Sequence, residues 1–252
     1  MVIDKKYFNE YLQIIGQQIP DLIRQFDFSE QAVSFDYLTM SSAVYSSNIE
    51  GNSIDLNSFM NYQLSKEKFR AGKELQEIEN LVEAYQFAQE NPLSEANLLK
   101  AHSILSKALL IKSKRGKYRI EPAGVFGREG LVYLAVEPEL VEPEMATFFA
   151  DIQQLPNVTL SEEEVFYFAA LIHLRFVHIH PFRDGNGRAA RLLEKWFISE
   201  KLGKQFWKIP SEKYYKDNQA QYYSAISMGV NFYTLSYDKC MNFLTMLPNC
   251  LK

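Results

Sequence analysis

Apolar residues recur every three to four positions over residues 5–26, 35–49, 74–89 and 94–110, the spacing that lays one stripe along an α-helix. In the third of these stretches the stripe is Leu75, Ile78, Leu81, Val82 and Tyr85. Between Gly124 and Val136 the pattern changes to a β-prone run with a polar Arg128, Glu129, Gly130 turn at its middle, which predicts one hairpin. Helical spacing returns over 142–154 and again after Ser161, where Ser161 and Glu164 make a capping box and the early acids suit the positive end of a helix. That helix is expected to run to about His178. Its apolar positions spread beyond one face, as in a central helix packed on several sides. A further helix should open near Gly187, turn Leu192, Leu193, Trp196 and Phe197 inward, and stop at Gly203. Residues 214–229 and 235–247 complete an all-α fold class with one small β-hairpin.

The chain has only 11 Gly and 9 Pro, which fits long helices and few tight turns. Gly124, Gly127 and Gly130 form one cluster, and Gly185 and Gly187 another, marking two places where the backbone does something unusual. With no repeat, low-complexity tract or linker, residues 1–60 read as a helical subdomain packed on a core of residues 61–252. Apolar residues make up 47% and charged residues 23%, the range of an ordinary globular chain. A net charge of -4 disfavours a general electrostatic grip on nucleic acid or an anionic membrane, so neither is expected as a partner. Cys240 and Cys250 are too few for a disulfide framework or a Cys-rich metal site, and a reducing, cytoplasmic setting is expected. The N-terminus does not read as a leader, and the longest strongly apolar run, 166–172, is too short to span a membrane.

The chemistry concentrates in His180-Pro-Phe-Arg-Asp-Gly-Asn-Gly-Arg188, with Arg191 one helical turn further on. Gly185, Asn186 and Gly187 running into a helix place unhindered N–H groups at the positive end of its dipole, a ready site for phosphate oxygens. Arg188 and Arg191, three apart on one face, can add guanidinium forks to the same anion, which suits a polyphosphate better than a lone phosphate. Asp184 is a hard oxygen ligand placed to hold a magnesium ion (Mg2+) shared with those phosphates. His180 is the neighbouring side chain whose pKa suits taking a proton from an alcohol near neutral pH. Together these residues point to phosphoryl-type transfer onto a hydroxyl. A glycine-rich turn or a single histidine is ordinarily structural, and the weight lies in the joint match. His178 and His180 also have the look of a metal-binding pair, but no partner set elsewhere completes such a site. His102 and His173, on apolar helical faces, are expected to be hydrogen-bonded core residues.

The full stretch His180-Pro-Phe-Arg-Asp-Gly-Asn-Gly-Arg-Ala-Ala-Arg191 resembles the signature loop of the Fic family. Supporting similarity extends to residues 169–179, 209–211 and Tyr222-Tyr223. The resemblance implies a mainly helical Fic fold that transfers AMP from ATP to a Ser, Thr or Tyr hydroxyl of a target protein. On that basis His180 would be the base, Asp184 the magnesium ligand, and Gly185, Asn186 and Gly187 the anion hole. Arg188 would contact the phosphates, Arg191 would hold the γ-phosphate, and Phe182 would anchor the loop in the core. One phosphorylating branch carries Lys where this chain has Gly187, so the intact Gly187 favours nucleotide transfer. The hairpin of residues 123–136 corresponds to the family's flap, whose edge would hold a target segment by strand pairing. The basic run 112–119 just before it reads as solvated surface.

Ser46-Ser-Asn-Ile-Glu50-Gly51 closes an expected helix, and Glu50 in the last turn opposes the helix dipole by roughly 0.3–1 kcal/mol. The segment resembles the family's inhibitory helix. By that resemblance Glu50, supported by Ser46, pairs with Arg191 and takes the space the γ-phosphate needs. A de-AMPylating phosphodiesterase using the same site, and a catalytically weak regulatory binding module, are the alternatives. Tyr214, Asn218 and Tyr222 are candidate adenine contacts, although aromatic residues at such spacing more often pack in a core. The sequence leaves the target and the oligomeric state open, a homo-oligomer included.

Overall fold

Ser161 starts the central helix as expected: its Oγ accepts from the Glu164 N–H at 3.3 Å, and Glu164 Oε2 accepts from the Ser161 N–H at 2.9 Å. The computed structural model describes residues 3–28, 35–65, 72–127, 130–155 and 159–252. The central helix runs Glu162–Ile179 and nearly all of it is buried, from Val165 through Phe176. In chain order the helices are α1 (Phe8–Ile14), α2 (Ile19–Gln25), α3 (Phe35–Ile49), α4 (Leu56–Ser65), α5 (Lys73–Glu90), α6 (Glu95–Leu105), α7 (Pro138–Gln154) and α8 (Glu162–Ile179), the central one. They continue with α9 (Asn186–Leu202), α10 (Ser211–Asp217), α11 (Gln219–Ile226), α12 (Met241–Leu244) and α13 (Met246–Asn249). Helices α8 and α9 form the packed centre, with α5, α6 and α3 against α9 and α1, α2, α7 and α12 against α8. No helix among the described residues is long and apolar enough to cross a membrane.

Several expected helices are shorter or broken, each for a local reason. The stretch 5–26 is two helices separated by a tight turn at Gly16–Gln18, because Pro20 has no N–H to continue a ladder and sits instead in the first turn of α2. The stretch 94–110 begins as expected, with Ser94 Oγ accepting from the Asn97 N–H at 3.2 Å, but α6 stops at Leu105. There the Ser106 hydroxyl donates to the His102 carbonyl at 2.6 Å and competes with the helical ladder. The stretch 214–229 divides at Asn218, whose Nδ2 donates to the Tyr214 carbonyl at 2.9 Å, and 235–247 breaks into α12 and α13 with a tight turn before them. Helix α7 starts earlier than expected, at Pro138. Helix α4 has no counterpart among the sequence expectations, although Asp55 caps it by accepting from the Ser58 N–H at 2.9 Å.

The hairpin consists of β1 (Gly124–Gly127) and β2 (Gly130–Leu134), antiparallel, with Gly124 opposite Leu134 and a bulge where Val125 gives way to Phe126. Arg128 and Glu129 of the expected turn lie outside the described residues. At the end of β2 the Leu134 N–H donates to the Val230 carbonyl at 3.0 Å, so that end of the β2 edge is covered while Phe126 on β1 is 74% exposed.

Candidate active site

Helix α8 ends where His180 turns left-handed, at φ 54 and ψ 57, the one non-glycine residue among those described with positive φ. Its N–H still bonds to Phe176 at 3.0 Å, while its carbonyl turns away to accept from Arg119 Nε at 2.7 Å. The imidazole Nδ1 lies 3.3 Å from the Val177 carbonyl oxygen, a contact only an N–H can make, so Nε2 carries the lone pair. Burial, reinforced by the Arg119 charge, lowers the His180 pKa below its usual value, against the pull of the Val177 carbonyl, Glu50 and Asp184. A neutral imidazole with a free Nε2 is the form a general base requires.

The loop that follows is held from beneath. Phe182 is fully buried and stacks on His102 at 3.5 Å between ring centroids. Since the Gly116 N–H donates to His102 Nδ1 at 3.0 Å, the opposite nitrogen is protonated and donates to the Asp184 carbonyl at 2.9 Å. Burial drives the His102 pKa down to about 4, so the ring stays neutral and its donor stays in place. The Asn186 side chain bonds to both the N–H and the carbonyl of Phe182, each at 2.8 Å. What Asn186 can offer a ligand is therefore its backbone. Gly185, at φ 81, opens α9, and the first intrahelical bond runs from the Ala189 N–H to the Gly185 carbonyl at 2.9 Å. The amides of residues 186–188 precede that bond and form the positive end of the helix. Asp184 is exposed, with Oδ1 accepting from the Gly185 N–H at 2.6 Å.

Arg191 is fully buried and nearly saturated. Its Nε donates to Ser46 Oγ at 2.9 Å, Nη1 to the Tyr222 hydroxyl at 3.1 Å, and Nη2 to the Ser46 carbonyl at 3.0 Å and Glu50 Oε1 at 2.7 Å. The Glu50 carboxylate also sits against Gly187, where an added Cβ would collide with it. Burial pushes the Glu50 pKa up, but Arg191 and Arg188 outweigh it and hold the carboxyl below the usual carboxylate range. The end of α3 is fixed by donors from α10 and α11: Lys216 to the Asn48 carbonyl at 3.1 Å, and Gln219 and Tyr223 to the Ile49 carbonyl, each at 2.8 Å. Arg188 pairs with Glu77 at 3.0 Å and keeps a buried Nε with no partner among the described residues, a donor available to an incoming anion.

Of the three residues expected near an adenine, Tyr222 is 1% exposed and its hydroxyl lies between Arg191 and His173 Nε2, at 3.1 and 3.0 Å. It is a support beneath Arg191, continued by His173 Nδ1 to Glu194 at 2.8 Å, and not an open face. Tyr214 and Asn218 are half-buried where α10 meets α11. His178 donates from Nε2 to the Ile226 carbonyl at 2.9 Å and accepts from the Tyr237 hydroxyl at 2.8 Å, so both its nitrogens are engaged. Among the described residues no group of three or more His, Cys, Asp or Glu is arranged to hold a metal. The basic run read as solvated surface contains one residue that is not: Arg119 is 3% exposed. It sits in a run of Lys and Arg, and the carbonyls it takes at the end of α8, those of Ile179 and His180, lie some sixty positions away, so no local pattern signals its burial.

The family model described as Fic/DOC matches residues 92–198, which include the whole loop. Residues 92–198 thus carry a Fic/DOC domain. A uridine 5'-monophosphate transferase of Xanthomonas campestris is 38% identical over 63 residues, covering 24% of this chain and 12% of that protein. The protein adenylyltransferase Fic of Nematostella vectensis is 73% identical over 26 residues, 10% of this chain and 6% of its own. These matches thus span a small part of either relative. Among solved structures, a Fic family protein from Desulfovibrio desulfuricans superposes with a TM-score of 0.77 at 22% identity, covering 98% of this chain and 73% of that one. A Fic domain containing signaling protein from Bacteroides thetaiotaomicron gives 0.69 at 19% identity, covering 94% and 93%. IbpAFic2 covalently tethered to Cdc42 gives 0.52 at 18% identity, covering 92% and 69%. The likenesses establish the Fic fold, a mostly helical domain with one small hairpin.

Proposed function

We propose that this protein is a protein adenylyltransferase that moves AMP from ATP to a Ser, Thr or Tyr hydroxyl, held at low activity by Glu50 on Arg191. The observation that carries the reading is the Glu50 carboxylate lying on Arg191 Nη2 at 2.7 Å and against Gly187: an acid already occupies the place where the loop would bind the outermost phosphate. In the reaction, the target oxygen attacks the α-phosphorus while its proton passes to His180 Nε2. The bond from that phosphorus to the bridging oxygen breaks, and pyrophosphate leaves. The amides of residues 186–188 and the Arg188 and Arg191 guanidiniums bind the phosphates and stabilise the charge that develops there. Asp184 offers a single exposed carboxylate, which fits Mg2+, an ion that binds through one or two carboxylates plus substrate phosphates and keeps several waters. When bound with the nucleotide, the ion would neutralise phosphate charge. The open edge of the hairpin is where a target segment would pair, and IbpAFic2 with Cdc42 supports a protein as the acceptor.

The match to a uridine 5'-monophosphate transferase makes the transferred nucleotide the second question. Both questions are answered by incubating Glu50→Gly protein and a host lysate with ATP or UTP labelled at the α-phosphate. AMP label on protein, lost in Glu50→Gly/His180→Ala, is expected. Label from UTP alone would make the protein a uridylyltransferase, and label from neither, or label unchanged by His180→Ala, would refute the reading.

A further inference from the structure

We propose that Arg119 is a positioning residue that clamps His180 to both roots of the hairpin, so that the base is aligned only while the hairpin is seated. The contacts of this one side chain join three segments of the chain. Nε donates to the His180 carbonyl at 2.7 Å and Nη2 to the Ile179 carbonyl at 3.4 Å, both at the end of α8. Nη1 donates to the Glu121 carbonyl at 3.1 Å, just before β1, and Nη2 to the Val136 carbonyl at 2.5 Å, just after β2. The Arg119 backbone N–H adds a bond to the Pro181 carbonyl at 2.9 Å. Between the two roots the hairpin is closed at its base by the Ala135 N–H donating to the Ala123 carbonyl at 3.0 Å. A second link from hairpin to helix is independent of Arg119: the Tyr133 hydroxyl of β2 donates to the His178 carbonyl at 2.6 Å.

Two physical facts make this more than packing. A buried guanidinium is costly unless its donors are satisfied, and among the described residues no carboxylate forms an ion pair with Arg119. Backbone carbonyls therefore take its donors, and those of Ile179 and His180 are the ones a helix end leaves without an intrahelical donor. His180 moreover holds a left-handed conformation that a residue with a Cβ disfavours. Rotating its ψ back toward the helical value would swing its carbonyl off Arg119 Nε, so the clamp selects the backbone state from which the imidazole is presented. Lys cannot substitute, because a single ammonium lacks the planar fork that reaches three segments at once.

The catalytic meaning rests on the transferase reading above, while the clamp itself does not, and the test separates the two. In Glu50→Gly protein, Arg119→Gln is expected to lower kcat for transfer at least tenfold, with Arg119→Lys between it and the parent. The KM and Kd for ATP should stay within twofold, since Arg119 touches none of residues 185–191. Nitrogen-15 resonances of the His180 ring should change from one protonated at Nδ1 to an exchanging mixture, and amide hydrogen exchange over 123–127 and 130–136 should accelerate. Transfer within twofold of the parent, or ATP binding lost in proportion to transfer, would overturn the proposal. If the parent itself transfers nothing, the transferase reading fails and the ring spectra and hydrogen exchange still decide the clamp, an unaltered result in Arg119→Gln overturning it. Should Arg119→Gln not fold, Arg119→Lys decides by the same measurements.

Discussion

Replacing Glu50 is the perturbation whose size the structure fixes best. Glu50 Oε1 meets Arg191 Nη2 at 2.7 Å, with the arginine side chain fully buried and the glutamate side chain 29% exposed. A charge-assisted hydrogen bond of this kind contributes roughly 1.5–3 kcal/mol. A phosphate that takes Arg191 has to give that up first, and since about 1.4 kcal/mol is a factor of ten, the penalty is about ten- to a hundredfold in apparent nucleotide affinity. Glu50→Gly should recover that factor, and Glu50→Gln, whose amide oxygen still accepts but carries no charge, should recover part of it. The same change should lower stability, because Arg191 keeps Ser46 and Tyr222 but loses its only ion-pair partner among the described residues. Relief of the unfavourable helix-dipole contact returns roughly 0.3–1 kcal/mol of that loss. Isothermal titration with ATP and magnesium gives the affinity, and steady-state labelling gives the rate. The expected order of both is Glu50→Gly above Glu50→Gln above the unaltered chain. Equal affinity and rate in all three would refute the competition between carboxylate and phosphate for Arg191.

The acid limb of the transfer rate should have its midpoint below pH 6.5, because burial and Arg119 favour the neutral imidazole of His180. Glu50 favours the protonated ring, so Glu50→Gly should move that midpoint further down, and a midpoint that rises in a pH-rate profile would contradict the assignment. Stability should fall as pH falls, because burial holds His102 and His178 at a pKa of about 4 in the folded chain against 6.5 when exposed. Between those values the unfolded chain binds two protons that the folded chain refuses, which costs roughly 2 kcal/mol per histidine by pH 5. Urea midpoints that are level from pH 7 to pH 5 would show that the two rings are not buried neutral.

What the sequence revealed about this protein is what short-range chemistry determines. Helix α3 spans the expected residues, the Ser161 box caps α8, and Gly203 ends α9, because periodicity and capping act within a turn or two. The loop was legible because its residues are contiguous. The breaks at Ser106 and Asn218 were hidden, since each depends on whether a side chain takes a nearby carbonyl in competition with the helical ladder. Asp55 ahead of α4 is a capping signal of the same short range. Arg119 and Tyr222 were misleading for one shared reason: a basic run suggests solvent and a spaced tyrosine suggests a ligand face, while long-range packing put both inside. Their burial is decided by α8 and α9, far away in the chain.

The contacts of α3 explain how a carboxylate at the end of one helix is brought to a single guanidinium on another. The buried residues of α3 are mostly small or polar, with Val44 and Ile49 beside Thr39, Ser42, Ala43, Ser46 and Ser47, and the helix meets α9 through hydrogen bonds in register. Ser42 Oγ accepts from Lys195 Nζ at 2.8 Å, Ser46 Oγ accepts from Arg191 Nε at 2.9 Å, and Glu50 meets Arg191 Nη2 at 2.7 Å. Residues 42 and 46 are four apart on α3, with Glu50 four further on just past its end, and 191 and 195 are four apart on α9, so the residues of each set share a face. Lys195 is itself fixed by Glu212 at 2.5 Å, and Glu212 accepts from the Tyr85 hydroxyl at 2.7 Å, with all three side chains buried. An apolar seam of small residues would tolerate a slip or rotation, whereas here a shift of one residue turns the face by about 100° and leaves the Lys195 ammonium buried with one partner fewer. The penalty falls at Ser42, two helical turns from the loop, yet it is what keeps Glu50 over Gly187. The position of the acid is thus specified by the length of α3 and not by the Glu50–Arg191 bond alone.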